Sequence, residues 1–380
     1  MPEDIVFYAV GDIAPDRPDP ETIFEHVSGM LNQADIVFGQ LEAVLSERGT
    51  VLPQARVPCR GKPAIARVLR EVGFDVVSFA SNHCMDLGRE AFADTLDVLR
   101  REGPAVIGVG ENIAVARQPA IVERRGTRVG LLAYSSILPQ GYWAEQDRPG
   151  CVPLRAFTVY EQIEHDQPGT PCRVHTYPHR GDRDAMIQDI RRAKAMADIV
   201  VVSMHWGIHF APAMLADYQR DLAHVAVDAG ADLVVGTHAH ILKGLEVYAG
   251  KAIFYSLCNF ALELRPDPSL LVRQAHREVS KLNSDWGPDP DYPTYFMPRD
   301  SRKTVIVKCA ISNRQIQRVS FLPVYINKQA QPEVLRPEDA LFGEVVTYMQ
   351  EISRSQGLET CLNVSGGEVV VSTTQQERLE

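Results

Sequence analysis

Five short apolar runs of this chain are each followed by side chains that bind metal ions. These side chains are carboxylates, an amide and imidazoles, in Gly11-Asp12, Gln40-Leu41-Glu42, Ser81-Asn82-His83, His205-Trp206-Gly207 and Gly236-Thr237-His238-Ala239-His240. Taken singly, each residue is as well explained by a helix cap, a turn or a hydrogen-bonded core position. Their recurrence after five separate runs favours a metal site. Such a donor set suits two adjacent divalent ions, which clamp a phosphate-like group and generate a hydroxide at neutral pH.

The runs that precede these residues predict β-strands: IVFYAV, ADIVF, FDVVSFA, ADIVVVSM and ADLVV. A parallel sheet that is buried on both faces produces continuous apolar strands of this kind. Functional groups of such a sheet collect beyond the carboxyl ends of its strands. We therefore expect the five endings to converge in space.

Stretches with helical spacing separate the predicted strands. Apolar residues predict helices at 23–31, 92–99 and 215–229. Strand, loop and helix alternate over 5–103 and again over 183–230, which predicts helices on both faces of the sheet. A hairpin that turns at Arg125-Gly126-Thr127 adds antiparallel pairing, so the predicted sheet is mixed.

The remaining segments are predicted from turn residues and strand alternation. Residues 139–181 are rich in Pro and Gly and are predicted to be irregular. Two antiparallel strands are predicted on either side of Asn313-Arg314, followed by a helix within 336–357 and a final edge strand at 368–372. We expect one main domain over 1–326 and a C-terminal helix and tail, 327–380, packed on it. The tail from 373 to 380 is polar and is predicted to fray.

An insertion at 265–299 is predicted to be a lid over the site. It contains seven Pro or Gly residues and the aromatics Trp286 and Tyr295, which are expected to face the site. Long irregular insertions in compact domains are commonly lids or binding loops.

Composition limits the classes of partner. The formal net charge is −10 at pH 7 with a pI near 5.6 and no polybasic block, which argues against nucleic acid and anionic membranes. No run approaches the roughly 20 apolar residues that span a bilayer, and no signal or anchor is apparent. We therefore expect a cytoplasmic protein that acts on a small molecule. The seven scattered cysteines are expected to be reduced thiols.

The motifs around these residues resemble the CapA family, the capsule and poly-γ-glutamate biosynthesis proteins of the calcineurin-like metallophosphoesterase superfamily. The resemblance runs from about residue 5 to 326 and is carried by VGDI, QLEAVLS, SFASNHCMDLG, GVGEN, HWGIHF, GADLVVGTHAHILKGLEVYAGKAIFYSLCNF and FLPVYIN. It implies the layered α/β fold of that superfamily, with mixed β-sheets and helices on the outer faces.

The resemblance also implies roles for the site residues. It assigns two divalent ions, one to Asp12 and His240, the other to Asn82, His205 and His238, with Glu42 bridging both. The mixed nitrogen and oxygen donors indicate Mn, Fe or Zn rather than Ca or Mg. His83 is the expected general acid for the leaving group. Asp86 is able to orient His83, but a place in the first turn of the next helix, where the dipole favours a carboxylate, is the preferred interpretation.

Four positions depart from the family pattern. Ala14 stands where most phosphoesterases of the superfamily have His, so one ion should lose a protein ligand. Gln40 replaces an Asn, and Cys258 replaces a Gly. His209 replaces a Glu, which removes a negative charge and offers another imidazole to a metal ion or to the substrate.

Three basic residues and three functional classes complete the predictions. Arg56, Arg60 and Lys62 are candidate substrate contacts, with solvated surface charge as the alternative. The favoured function is a two-metal hydrolase of a small soluble phosphoester or an amide. The alternatives are a nonhydrolytic accessory protein of polymer synthesis and a di-iron redox enzyme on the same scaffold.

Overall fold

Two β-sheets carry the five apolar runs and pack against each other. The computed structural model describes residues 5–266, 277–278, 280–283 and 285–372. In spatial order, the ten-stranded sheet contains β21 (Cys361–Ser365), β22 (Glu368–Ser372), β19 (Gln315–Ile326), β18 (Lys303–Ser312), β1 (Ile5–Ala14), β2 (Ile36–Leu41), β5 (Val76–Ser78) and β6 (Ala105–Ile107), with β17 (Asn259–Leu262) beside β1 and β20 (Pro332–Val334) beside β19. The six-stranded sheet contains β15 (Leu245–Tyr248), β16 (Lys251–Phe254), β14 (Leu233–Thr237), β13 (Ile199–His205), β9 (Thr127–Ser135) and β8 (Ala120–Arg124).

Smaller elements surround the two sheets. Short strand pairs are formed by β3 (Val44–Leu45) with β4 (Arg60–Gly61), β7 (Val109–Gly110) with β10 (Gly150–Cys151), and β11 (Ala156–Gln162) with β12 (Cys172–Pro178). The α-helices are α1 (Ser28–Leu31), α2 (Ile65–Glu71), α3 (Gly88–Glu102), α4 (Ile113–Ala116), α5 (Arg180–Met196), α6 (Asp217–Ala229) and α7 (Ala340–Ser355), and 3₁₀ helices occupy Pro20–Phe24 and Arg299–Arg302.

The central strands are apolar throughout because both of their faces are buried. Along β13, Ile199 and Val201 belong to the core between the sheets, whereas Val200 and Val202 pack with α5 and α6 on the outer face. Side chains alternate along a strand, so a run with two buried faces shows no polar positions. Each fully buried side chain of this size stabilises the fold by roughly 1.5–3 kcal/mol.

The mixed α/β class with layered sheets and outer helices is confirmed, but the five runs do not share one sheet. The strands β1, β2 and β5 pair in parallel in the larger sheet, while β13 and β14 pair in parallel in the smaller one. The expectation of one sheet was therefore wrong in this respect. An apolar run shows that a strand is buried, but it does not show with which strand it pairs.

Three local predictions also need correction. The helix expected at 23–31 is a 3₁₀ helix followed by the short α1. The segment 139–181 contains the antiparallel ribbon of β11 and β12, where the exposed Phe157, Tyr160 and Tyr177 leave no burial pattern to detect. Strand β22 is interior, because it pairs with both β19 and β21. The hairpin of β8 and β9 is confirmed.

The C-terminal elements extend the larger sheet. Helix α7 buries Val345 and Met349 in the main core, and β22 joins β19. The domain boundary at 326 stays a prediction, and the tail at 373–380 lies outside the described residues. Among the described residues, no helix combines the length and the apolar character that crossing a bilayer requires.

Candidate metal centre

The six predicted ligands converge where the two sheets meet. Their ligand atoms form two groups of three, Glu42 with His205 and His238, and Asp12 with Glu42 and His240, and within each group all ligand atoms lie within 4.8 Å of one another. Glu42 is common to both groups, which is the position of a bridging carboxylate. The Asn82 Oδ1 atom lies 2.8 Å from His205 Nε2 and joins the first group.

A close approach of two backbones places Asp12. The Asp12 N–H donates to the carbonyl oxygen of Cys258 at 3.0 Å. A Cβ atom on Gly11 would lie 1.8 Å from that oxygen, so only glycine permits the contact. Cys258 itself has φ 67°, a left-handed conformation that glycine adopts without strain. The family's glycine is thus explained, and the cysteine here is held by the fold.

Two candidate ligands also have left-handed backbones. His238 has φ 84° and His240 has φ 54°, on either side of Ala239. The N–H of His238 donates to Asp12 Oδ2 at 3.2 Å, which ties this turn to β1. Strained conformations of non-glycine residues persist where the surrounding structure fixes them, and they concentrate at functional sites.

Neighbouring polar groups fix the orientation of two imidazoles. The Nδ1 atom of His205 lies 3.0 Å from Thr237 Oγ1, and that of His240 lies 2.7 Å from Asn259 Oδ1. Each Nε2 atom then faces Glu42, at 3.3 Å for His205 and 3.8 Å for His240. Metal-binding histidines are commonly oriented by a hydrogen bond at the other ring nitrogen.

The buried carboxylates of the centre have no cationic side chain beside them. Asp12 is 0% and Glu42 1% exposed, and among the described residues their ion pairs involve imidazoles alone, with no Lys or Arg. Burial and the charge of Glu42 raise the pKa of Asp12. Burial alone would raise the pKa of Glu42, but the imidazoles of His240 and His205 lower it to about 2. Burying such carboxylates costs free energy unless a cation compensates their charge.

Several buried polar atoms of the centre have no hydrogen-bond partner among the described residues: Asp12 Oδ1, Glu42 Oε1, His238 Nδ1 and His209 Nε2. Unsatisfied buried polar atoms are rare in folded proteins and indicate an ion or water that completes them. Burial lowers the pKa of His205, His209 and His238, and neutral imidazoles are the form that binds metals. The residues present therefore fit divalent ions held by nitrogen and oxygen.

His83 lies beside the ligands and is oriented by Asp86. The His83 Nδ1 atom lies 2.7 Å from Asp86 Oδ2, and Asp86 Oδ1 accepts a hydrogen bond from Tyr142 at 3.1 Å. The preferred prediction for Asp86 was wrong, because α3 begins only at Gly88 and the turn before it directs the carboxylate to His83. Burial would lower the pKa of His83, but the hydrogen bond and charge of Asp86, with the charge of Glu42, raise it. No sequence signal pointed to Tyr142, which comes from a distant loop.

The other departures from the family pattern lie around the same centre. Ala14 packs in an apolar cluster with Phe210 and Leu262. Gln40 donates to the carbonyls of its neighbour Leu41 and of Ala80. The ring of His209 lies 3.9 Å from that of His238 between centroids, so this imidazole borders a candidate ligand.

The three basic candidates lie between β3 and α2. Arg60 donates to the carbonyls of Ser46 and Arg48, and Lys62 donates to that of Pro18 at 2.9 Å. Arg56 is exposed. Backbone carbonyls thus engage two of these cations, and a role in substrate binding stays a prediction for all three.

Part of the predicted lid touches the centre. Residues 267–276, 279 and 284 of the insertion lie outside the described residues. Trp286 packs on Phe210 with ring centroids 4.4 Å apart. The hydroxyl of Tyr295 accepts a hydrogen bond from Asn259 Nδ2 at 2.8 Å, and Asn259 in turn holds His240. The insertion is therefore connected to a candidate ligand.

Changing Tyr295 to Phe is expected to lower the affinity of the His240 site for its ion about 10-fold, the lower end for a residue that supports a ligand. The change removes the acceptor that orients Asn259. Competition with a chromogenic chelator measures the affinity. Tyr292→Phe is the control, because Tyr292 packs under Arg302 in the same segment. Equal affinity in wild type and Tyr295→Phe would contradict the prediction.

Fold and site together define a layered mixed α/β protein with a buried cluster of metal-ligand residues where two sheets meet. The family described as bacterial capsule synthesis protein PGA_cap matches residues 6–263, and the chain belongs to this family. The resemblance to CapA proteins is thereby confirmed.

Relatives with names include two proteins of Bacillus and one of Mycobacterium. The PGA biosynthesis protein CapA of Bacillus subtilis (strain 168) is 29% identical over 245 residues, which cover 64% of this chain and 57% of the relative. The capsule biosynthesis protein CapA of Bacillus anthracis is 29% identical over 290 residues, 73% of this chain and 65% of the relative. A probable polyglutamine synthesis accessory protein of Mycobacterium tuberculosis (strain ATCC 25618 / H37Rv) is 29% identical over 225 residues, 58% and 54%. This chain spans less than two thirds of the length of each.

Solved structures with a similar arrangement include two bacterial proteins. The calcineurin-like phosphoesterase YfkN from Bacillus subtilis aligns over 93% of this chain and 98% of its own, with a TM-score of 0.43 and 12% identity. A hypothetical protein from Thermus thermophilus aligns over 84% and 98%, with a TM-score of 0.44 and 15% identity.

Proposed function

We propose that the protein is a metal-dependent hydrolase with two divalent ions, of Mn, Fe or Zn, acting on a small phosphoester, with an amide as the second possibility. The observation that carries the proposal is the shared carboxylate of Glu42, which belongs to both groups of ligand atoms. When bound, two such ions polarise a phosphoryl oxygen and lower the pKa of a coordinated water.

The accessible side of the centre supports hydrolysis. Asn82 and His83 are partly exposed, whereas Asp12, Glu42 and His205 are buried, so a substrate reaches the centre from the side of His83. With its Nδ1–H donated to Asp86, the imidazole presents Nε2 for delivering a proton to the leaving-group oxygen. Tyr142 and Asp86 keep that nitrogen in place without contacting the substrate.

A second candidate is a nonhydrolytic accessory role in polymer synthesis. The names of the relatives favour it, since the mycobacterial protein is described as a polyglutamine synthesis accessory protein. In that case Asp86 would have no catalytic group to orient, and the partly exposed imidazole of His83 would be unexplained.

The test is hydrolysis by purified protein after removal and return of metal. Chelator-treated protein is reloaded with Mn, Fe or Zn, its metal content is measured by mass spectrometry, and it is assayed with an aryl phosphate monoester, the matching diester and a γ-glutamyl amide. We expect metal-dependent turnover of a phosphoester. Stoichiometric metal without turnover of any of the three would favour the accessory role.

A further inference from the structure

The imidazole of His209 has a donor that nothing in the described part of the chain uses. Its Nε2 atom is buried without a hydrogen-bond partner among the described residues. Its ring lies 3.9 Å from that of His238 and 5.3 Å from that of His240 between centroids. The residue is absent from both groups of mutually close ligand atoms. It therefore borders the candidate ions without belonging to either ligand group.

The loop that carries His209 is held in place at several points. The N–H of Phe210 donates to the carbonyl of Ala239 at 3.0 Å, between the two candidate ligands of that turn. The buried ammonium of Lys243 donates to the carbonyls of Ala211 and Met214. A buried lysine bonded to two carbonyls fixes a loop rather than a substrate, so the position of His209 is set before any ligand arrives.

The chemical type of this residue determines the charge of the centre. Asp12 and Glu42 contribute two negative charges, and the surrounding histidines contribute none when neutral. A Glu at position 209 would add a third negative charge at the edge of the centre. An imidazole adds none and offers an N–H to an oxyanion, and charge effects of this kind are strong where water is excluded.

We propose that His209 Nε2 donates a hydrogen bond to a phosphoryl oxygen of the substrate, and that this residue makes the centre select dianionic phosphomonoesters over monoanionic phosphodiesters. A dianion is the ligand that loses most from a carboxylate at this position and gains most from a neutral donor. The proposal rests on the proposed function, because it names the substrate class of that same centre.

The test uses metal-loaded protein and inorganic phosphate, titrated by calorimetry at pH 8. We expect His209→Gln, which keeps an N–H, to bind phosphate within about 3-fold of wild type, and His209→Leu to bind roughly 10-fold more weakly. His209→Glu should bind roughly 10²-fold more weakly and should lower the monoester-to-diester ratio of kcat/KM by at least about 10-fold. His224→Gln is the matched control, because this imidazole pairs with Glu246 outside the centre.

Two results would overturn the proposal. Loss of metal from His209→Leu would make the residue a ligand, and unchanged phosphate affinity in His209→Leu and His209→Glu would remove it from the anion site. The proposed function fails separately: phosphate binding that depends on His209, without turnover of any ester, supports the anion contact and rejects hydrolysis.

Discussion

Replacing Glu42 by Gln is expected to remove both ions and to lower turnover by roughly 10³-fold or more. Glu42 belongs to both ligand groups, so its loss affects both ions, whereas Asp12 belongs to one. Metal ions contribute several kcal/mol to transition-state stabilisation, and about 1.4 kcal/mol is tenfold in rate. Metal content by mass spectrometry and turnover of a phosphoester are the two measurements.

Two further variants make this result specific. Asp12→Asn is expected to retain more metal than Glu42→Gln, because the group of Glu42, His205 and His238 stays complete. Glu246→Gln controls for the loss of a buried carboxylate, since Glu246 bonds to Tyr255 and Arg220 away from the centre. Equal metal loss in Asp12→Asn and Glu42→Gln would show that Glu42 does not bridge.

Changing His83 to Ala is expected to lower turnover by roughly 10²-fold or more without removing metal, as for a positioned general acid. The Nε2 atom of His83 lies 4.0 Å from Glu42 Oε1 on the accessible side, which is the position of a proton donor rather than a ligand. Turnover and metal content are measured on the same preparation. Metal loss in His83→Ala would make the residue a ligand and end the assignment.

Asp86 supplies a second check on the same role. Asp86→Asn should lower turnover about 10-fold in wild type and have little further effect once His83 is Ala, because Asp86 acts through the imidazole. Residues that act as one unit are non-additive in this way. Additive losses in the double variant would instead indicate that Asp86 only stabilises the turn before α3.

The ligand residues were predictable because each follows a buried strand, and the position after such a strand is a general location for functional groups. The apolar run before His205 is sufficient to place it near a site. The sequence does not contain the pairing of strands, so it did not show that Asp12 and His205 belong to different sheets.

The supporting contacts were less predictable because they join distant parts of the chain. Tyr142 reaches Asp86 across 56 positions, and Asn259 reaches His240 across 19. Neither pair has a spacing that local periodicity can detect. The direction of Asp86 failed for a local reason, since the start of α3 is shifted by two residues beyond it and the helix dipole does not act there.

The location of the centre between two sheets has a thermodynamic consequence. Asp12, Glu42 and Asn82 come from the larger sheet, and His205, His238 and His240 follow strands of the smaller one. Any cation held by both sets is a non-covalent cross-link, and a half-assembled chain with one sheet formed offers only half of the donors. Ligand binding to the native state alone adds about 4 kcal/mol to stability at a concentration roughly 1,000 times the dissociation constant. That increment would act on the docking of the two sheets, so metal supply would determine how often they separate.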